Sequence, residues 1–156
     1  MINAATQIRI IVADDDADDR LLIGDALKEA RLLNDVEFVE DGQELLDCLR
    51  GHGRYADNPC TSYPNLVLLD LNMPRKDGRE ALKEIKEDPE LRRIPIVVFT
   101  TSKTEEDIFR TYDLGVNSFI SKPVRFSDLV DIIATTTSYW LDIVSLPSDS
   151  PAPAQS

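Results

Sequence analysis

The sequence is short of positive charge. It has 17 Lys and Arg against 29 Asp and Glu, a formal net charge of -12 over 156 residues. Phosphate-rich partners need clustered Lys and Arg, so neither a nucleic acid nor an anionic membrane surface is expected as a partner. Long apolar runs are missing too, and none approaches the roughly 20 residues of a membrane span. The opening stretch, MINAATQIRIIVADDD, lacks a basic leader followed by an apolar core and a cleavage site, so no secretory signal is expected. Cysteine is scarce. Cys48 and Cys60 are the only two, and without a secretory context they read as reduced thiols of a cytoplasmic protein. The only histidine, His52, lies between glycines in a loop, a poor place for a phosphotransfer histidine. Aromatics are only 6% of the residues, but hydrophobic residues reach 42%. That is an ordinary globular mix, in a chain long enough to bury one core without disulfides or structural metals.

What the sequence has in excess is acid, and it is unevenly spread. Residues 14–19 hold five Asp in six positions. This cluster follows Ile8 to Ala13, a short, β-branched, apolar run of the kind that forms a strand buried on both faces. Further runs of this type are 36–39, 65–70, 94–100 and 116–121. Between them, 20–31, 43–50, 79–87 and 104–114 carry apolar residues at helical spacing, and 127–144 forms a long last helix. Thr104 and Asp107 resemble a capping box, and Gly115 a helix stop. Residues 51–64 are a loop with two Gly and two Pro, and 147–156 (PSDSPAPAQS) read as a disordered tail. Five strands alternating with five helices predict a parallel sheet covered on both faces and joined by right-handed crossovers.

In open sheets of this kind, function sits beyond the carboxyl ends of the strands. The first strand ends at Asp14 and Asp15, the third at Asp70, the fourth at Thr100 and the fifth near Lys122. Three carboxylates, a hydroxyl and an ammonium are therefore expected in one pocket. Crowded carboxylates raise one another's pKa unless a cation joins them, and hard oxygen ligands at a wet site suit Mg²⁺. A carboxylate can also take a phosphoryl group, which assigns Asp70 as nucleophile. Lys122, Thr100 and the metal would stabilise the charge on the transferring oxygens.

Asp14-Asp15, Asp70 in LLDLNMP, Asp77-Gly78, Thr100 and Lys122-Pro123 together resemble the receiver domain of two-component response regulators. Asp70 precedes Thr100 by 30 residues and Lys122 by 52, and the likeness covers about residues 7–134. The resemblance implies a flavodoxin-like (βα)5 fold, doubly wound, with its five parallel strands in the order 2-1-3-4-5. Residues 1–146 would form the domain with an extended last helix. Such a domain accepts a phosphoryl group on Asp70 from a phosphohistidine of a partner histidine kinase. By resemblance, Asp15, Asp70 and the backbone carbonyl of Asn72 hold Mg²⁺, and Asp14 acts through water. Thr100 and Phe119 would report phosphorylation to the surface of strand four, helix four, strand five and helix five, and Thr101 would add a phosphate donor. Pro123 would fix a sharp turn through a cis bond. The segments RKDGREALKEIK, DPELRRIPIVVFTTS, YDLGVNSFISKPV and YWLDIVSLP are similar to single-domain regulators that serve phytochrome-type kinases, which are commonly dimeric.

Some features carry blander readings. Asp16, Asp18 and Asp19 fit a solvated helix start favoured by the helix dipole. Asp77-Gly78 is a turn without chemistry. The last helix, 18 residues and about 27 Å, outruns a six-residue strand of about 20 Å. Its apolar end, with Tyr139, Trp140, Ile143 and Val144, suggests a homodimer contact. Two other functions stand against the switch. One is a phosphate-independent scaffold. The other is a phosphohydrolase of the haloacid-dehalogenase type, which needs an Asp two residues after the nucleophile, where this chain has Asn72.

Overall fold

The structure, a computed structural model, describes residues 9–29, 35–56, 66–101 and 104–139. Its elements follow in the order β1 (Arg9–Ala13), α1 (Ala17–Glu29), β2 (Asp35–Val39), α2 (Gly42–Arg50), β3 (Leu66–Leu69), α3 (Gly78–Glu87), β4 (Ile96–Thr100), α4 (Glu105–Asp113), β5 (Ser118–Ser121) and α5 (Phe126–Ser138). A short 3-10 turn over Gly53–Tyr55 follows α2. The strands form one sheet in the order β2-β1-β3-β4-β5, and every pairing is parallel. This is the expected doubly wound, flavodoxin-like architecture.

The apolar strands are apolar because both sheet faces are covered. Along β1, Ile11 and Ala13 point into a core shared with Leu45, Leu46, Leu82 and Ile85 from α2 and α3. Ile10 and Val12 point the other way, toward Ile23, Ala26 and Leu27 of α1 and Leu129 and Ile133 of α5. Successive strand residues alternate between faces, so two apolar layers need an unbroken apolar strand.

Local chemistry sets the helix starts. Asp41 caps α2, accepting the Glu44 N–H at 2.8 Å. Asp77 caps α3 in a reciprocal box: its carboxylate takes the Glu80 N–H at 3.0 Å while Glu80 takes the Asp77 N–H at 3.2 Å. The Asp77-Gly78 turn is thus also a helix start. Asp41 further accepts Arg75 at 2.8 Å. Burial pushes the Asp41 carboxyl up, but the hydrogen bond from Arg75 and the Glu44 N–H outweigh it and hold the pKa below 3.8. The folded pKa is therefore lower than the unfolded one. The stability it confers is complete at neutral pH and lost as pH falls from about 4 through the folded value. Asp41→Ala is expected to lower Tm at pH 7 by about 2–4 °C, for a lost cap of about 1 kcal/mol. The gap from the unmodified protein should narrow below about pH 4. A pH-independent gap in thermal melts would count against the ion pair.

Two expectations change. Cys48 is disulfide-bonded rather than a reduced thiol, and the described residues hold no free cysteine. The only other cysteine is Cys60, twelve residues on in the sequence and outside the described residues. So short a separation makes ring closure entropically cheap. The expected cis bond before Pro123 is not present, since no described peptide bond is cis. The trans isomer is intrinsically favoured by about 0.5–1 kcal/mol, and the Lys122 N–H still reaches the Thr100 carbonyl at 2.8 Å across this turn. The described part of the last helix, α5, covers 13 residues to Ser138, with Tyr139 exposed after it. Trp140, Ile143, Val144 and the 147–156 tail lie outside the described residues. Among the described residues, no helix is long and apolar enough to cross a membrane.

Candidate functional site

The parallel register gathers the site. Ala13 pairs with Leu69, so Asp14 and Asp70 leave neighbouring strands side by side at the carboxyl edge. Backbone bonds hold both: the Asp14 N–H donates to Val39 O and the Asp70 N–H to Ala13 O, each at 3.0 Å. Thr100 ends β4 and Lys122 follows β5, bringing a hydroxyl and an ammonium to the same edge.

Thr100 Oγ1 donates to Asp70 Oδ1 at 2.7 Å and is fully buried. Lys122 Nζ donates to three carboxylates: Asp14 Oδ2 at 2.5 Å, Asp19 Oδ2 at 2.9 Å and Asp70 Oδ2 at 3.1 Å. Asp14 and Asp70 are buried, whereas Asp15 is exposed at the rim. Burial dominates the Asp14 carboxyl and pushes its pKa up to about 6, although the Lys122 hydrogen bond pulls the other way. For Lys122, burial favours the neutral amine, but its hydrogen bonds to Asp14 and Asp19 outweigh this and raise the pKa. The ammonium is the built-in counter-ion of the acidic group.

Carboxylate oxygens of Asp14, Asp15 and Asp70 lie within 4.8 Å of one another and could hold a metal ion. An all-carboxylate set with one exposed member fits a hard divalent cation that keeps part of its water shell. Asn72 is exposed beside it, and its N–H donates to Asp70 Oδ1 at 3.3 Å. Thr101 is exposed just past β4. Phe119 is partly buried against the α2–α3 side of the core, with its N–H on Tyr112 Oη at 3.2 Å. Pro123 lines a small cavity of about 100 Å³ with Asp19, Lys122 and Phe126. His52 is exposed in the loop after α2, ahead of the 3-10 turn.

A model described as the response regulator receiver domain matches residues 10–134. The chain belongs to that family. Response regulator Rcp1 of Synechocystis is 40% identical over 142 residues, covering 91% of this chain and 94% of Rcp1. Among solved structures, the phosphorylated cyanobacterial phytochrome response regulator RcpA is similar with a TM-score of 0.85 and 45% identity, over 92% of this chain and 100% of RcpA. The Mn²⁺-bound form of Rcp1 follows with a TM-score of 0.82 and 38% identity, over 92% of this chain and 100% of that one. The receiver works in phosphorylation-dependent signalling, and its family is one of signalling domains rather than of free-standing enzymes.

The structure also shows side chains that the sequence reading passed over. Asp16 caps α1 through the Asp18 N–H at 2.8 Å, and Arg20 donates to the Asp14 carbonyl at 2.9 Å. Asp19 is no mere solvated charge, because its carboxylate holds Lys122. Its signal was position alone: it lies in the first turn of the helix that follows β1. Asp107 departs from the expected capping box. Its N–H is taken by Thr104 Oγ1 at 3.2 Å, but its carboxylate turns to Arg79. Arg75 stands at φ 60, a left-handed conformation that lets the loop after β3 fold back onto Asp41.

Proposed function

We propose that this receiver is a single-domain response regulator that accepts a phosphoryl group on Asp70 from a histidine kinase in a Mg²⁺-dependent reaction. The observation that carries the reading is the setting of Asp70. Its two oxygens are engaged by Thr100 and Lys122, and it borders the Asp14–Asp15 carboxylates. Asp15, Asp70 and the Asn72 carbonyl would hold the cation directly and Asp14 through water. When bound, the cation offsets the negative charge of the carboxylates and of the incoming phosphoryl oxygens.

In the transfer, an Asp70 carboxylate oxygen forms a bond to phosphorus while the P–N bond of the donor phosphohistidine breaks. The electron pair of that bond leaves with the imidazole. Lys122 and Thr100 already point at Asp70, so each needs only to shift its bond to an equatorial phosphoryl oxygen. Thr101, exposed just past β4, would add a further donor through its backbone N–H. The same site supports self-catalysed loss of the phosphate to water.

The relatives that are phytochrome response regulators support a light-sensing kinase of that type as donor. A protein charged by an ATP-using kinase is placed in the cytoplasm. Phosphorylation would shift the population between two arrangements of Thr100 and Phe119.

Incubation with Mg²⁺ and acetyl phosphate tests the reading. About one base-labile phosphoryl group per chain is expected, with none when the metal is chelated. No incorporation by the folded protein would leave a phosphate-independent scaffold, and rapid turnover of a phosphomonoester would indicate a hydrolase.

A further inference from the structure

Helix α4 is anchored unlike its neighbours. Helix α3 buries Ala81, Leu82 and Ile85, whereas the only buried side chains of α4 are Asp107 and Thr111. Both are polar. Thr111 Oγ1 donates within its own helix, to the Asp107 carbonyl at 2.8 Å. Of the large apolar side chains of α4, Ile108 is half-buried, while Phe109 at 73% exposure and Tyr112 at 50% face outward. Two polar contacts tie the helix to its neighbours: Tyr112 Oη accepts the Phe119 N–H of β5 at 3.2 Å, and Asp107 is held by α3. Arg79, in the first turn of α3, grips it with two parallel bonds, Nε to Oδ1 and Nη2 to Oδ2, each at 2.7 Å.

Arg79 also touches the phosphoryl-acceptor segment. Its Nη1 reaches the carbonyl of Leu71, next to Asp70, at 3.4 Å, and lies 3.6 Å from Asp77 Oδ2. Within the described residues it faces Asp107, Asp77 and, at longer range, Asp70. The Asp107 bond leads in holding its pKa up, with the charges of Asp107, Asp77 and Asp70 acting the same way. One guanidinium is thus shared between α4 and the negative charge at the end of β3. A bidentate pair of this kind is either made or broken, unlike an apolar contact that deforms by degrees.

We propose that the Arg79–Asp107 pair is the latch through which the charge on Asp70 sets the position of α4. This rests on Asp70 being the phosphoacceptor. An aspartyl phosphate carries more negative charge than the carboxylate it replaces, so it competes with Asp107 for Arg79. Weakening the pair frees a helix that has little apolar anchorage, and carries the Phe109 and Tyr112 side chains with it. Arg79 and Asp107 are positioning residues in this scheme, because neither touches the reacting atoms.

The test uses Arg79→Gln, Asp107→Asn and the double variant of the full chain, with beryllofluoride and Mg²⁺ as the phosphoryl mimic. Amide shifts of α4 and the mimic's affinity are read by NMR titration. Each single variant should move the α4 amides part of the way to their mimic-bound positions without any mimic. Asp107→Asn should tighten beryllofluoride binding about fivefold, since Arg79 is then free for the mimic, whereas Arg79→Gln, which removes that cation, should not tighten it. The double variant should match Arg79→Gln rather than add the two effects, because without the cation there is no latch for Asp107→Asn to release. Arg79→Lys, which keeps the charge but not the fork, should fall between.

A purely structural pair would lower Tm and leave the α4 shifts and mimic affinity unchanged, and that result overturns the latch. Additive single effects overturn it as well. Should Arg79→Gln fail to fold, the isosteric Asp107→Asn carries the test alone, through the α4 shifts and the tighter mimic binding. If the unmodified protein takes up neither beryllofluoride nor phosphate, the phosphoacceptor reading falls and the latch with it. Normal phosphorylation with unmoved variants sinks only the latch.

Discussion

Asp70→Asn is expected to abolish phosphoryl incorporation from acetyl phosphate while leaving the fold intact. The amide has nearly the shape of the carboxylate. Its oxygen can still accept from Thr100 Oγ1, which donates to Asp70 Oδ1 at 2.7 Å in the native site. Its nitrogen lone pair is delocalised into the carbonyl and the side chain carries no negative charge, so it is too weak a nucleophile for an acyl phosphate to form. Metal affinity should fall as well, by tenfold or so, because one of the three grouped carboxylates is lost. Phosphate counting and a metal titration read the two effects separately. Residual stoichiometric labelling would move the acceptor to another carboxylate. Asp14 and Asp15 would then be the first to examine, since they share the cluster.

The second large effect is expected from a residue with no side chain. A Cβ added to Gly78 would lie 2.1 Å from the carbonyl oxygen of Asp70 and 2.8 Å from Leu71 Cα. Both are backbone atoms of the segment that carries Asp70, and neither can swing aside. The Gly78 N–H also donates to the Leu71 carbonyl at 2.9 Å, so α3 begins in direct contact with the end of β3. Gly78→Ala must push these segments apart. We expect a loss of about 3 kcal/mol, which lowers Tm by roughly 6–12 °C. Phosphorylation should be impaired in whatever remains folded, because Asp70 moves relative to Thr100 and Lys122. Gly24→Ala is the control. Its Cβ would meet Phe38 at an ordinary 3.5 Å in the middle of α1, and Ala gains up to about 1 kcal/mol over Gly in a helix. Gly24→Ala should therefore hold or raise Tm. Equal effects of the two substitutions would refute the close-approach account.

These two predictions differ in how they could be foreseen. Asp70 stood out in the sequence because it ends an apolar run and lies in register with Thr100 and Lys122. Gly78 read only as part of a turn. Its role depends on how closely α3 approaches β3, a distance that no pattern of residue types encodes. Asp19 and Asp107 taught the same lesson with charges. Each was read from its local helix, one as a solvated dipole partner and the other as a capping residue. Each in fact reaches across the fold, to Lys122 at 2.9 Å and to Arg79 at 2.7 Å. Long side chains choose partners by proximity in space, and sequence spacing reveals that only within a single helix or strand.

By itself, the sequence determined the architecture and which side chains gather at one edge of the sheet. Period and composition separate buried strands from one-sided helices, and their alternation leaves a parallel sheet as the consistent arrangement. In such a sheet the strand ends must meet at one edge, so Asp14, Asp15, Asp70, Thr100 and Lys122 follow from topology alone. The tertiary structure decided which charges pair, where glycine is obligatory, that Cys48 is oxidised and how α4 is held. All of these depend on distances between segments remote in the chain. They are settled by packing to a fraction of an ångström, whereas hydrophobic pattern specifies only which face of an element turns inward.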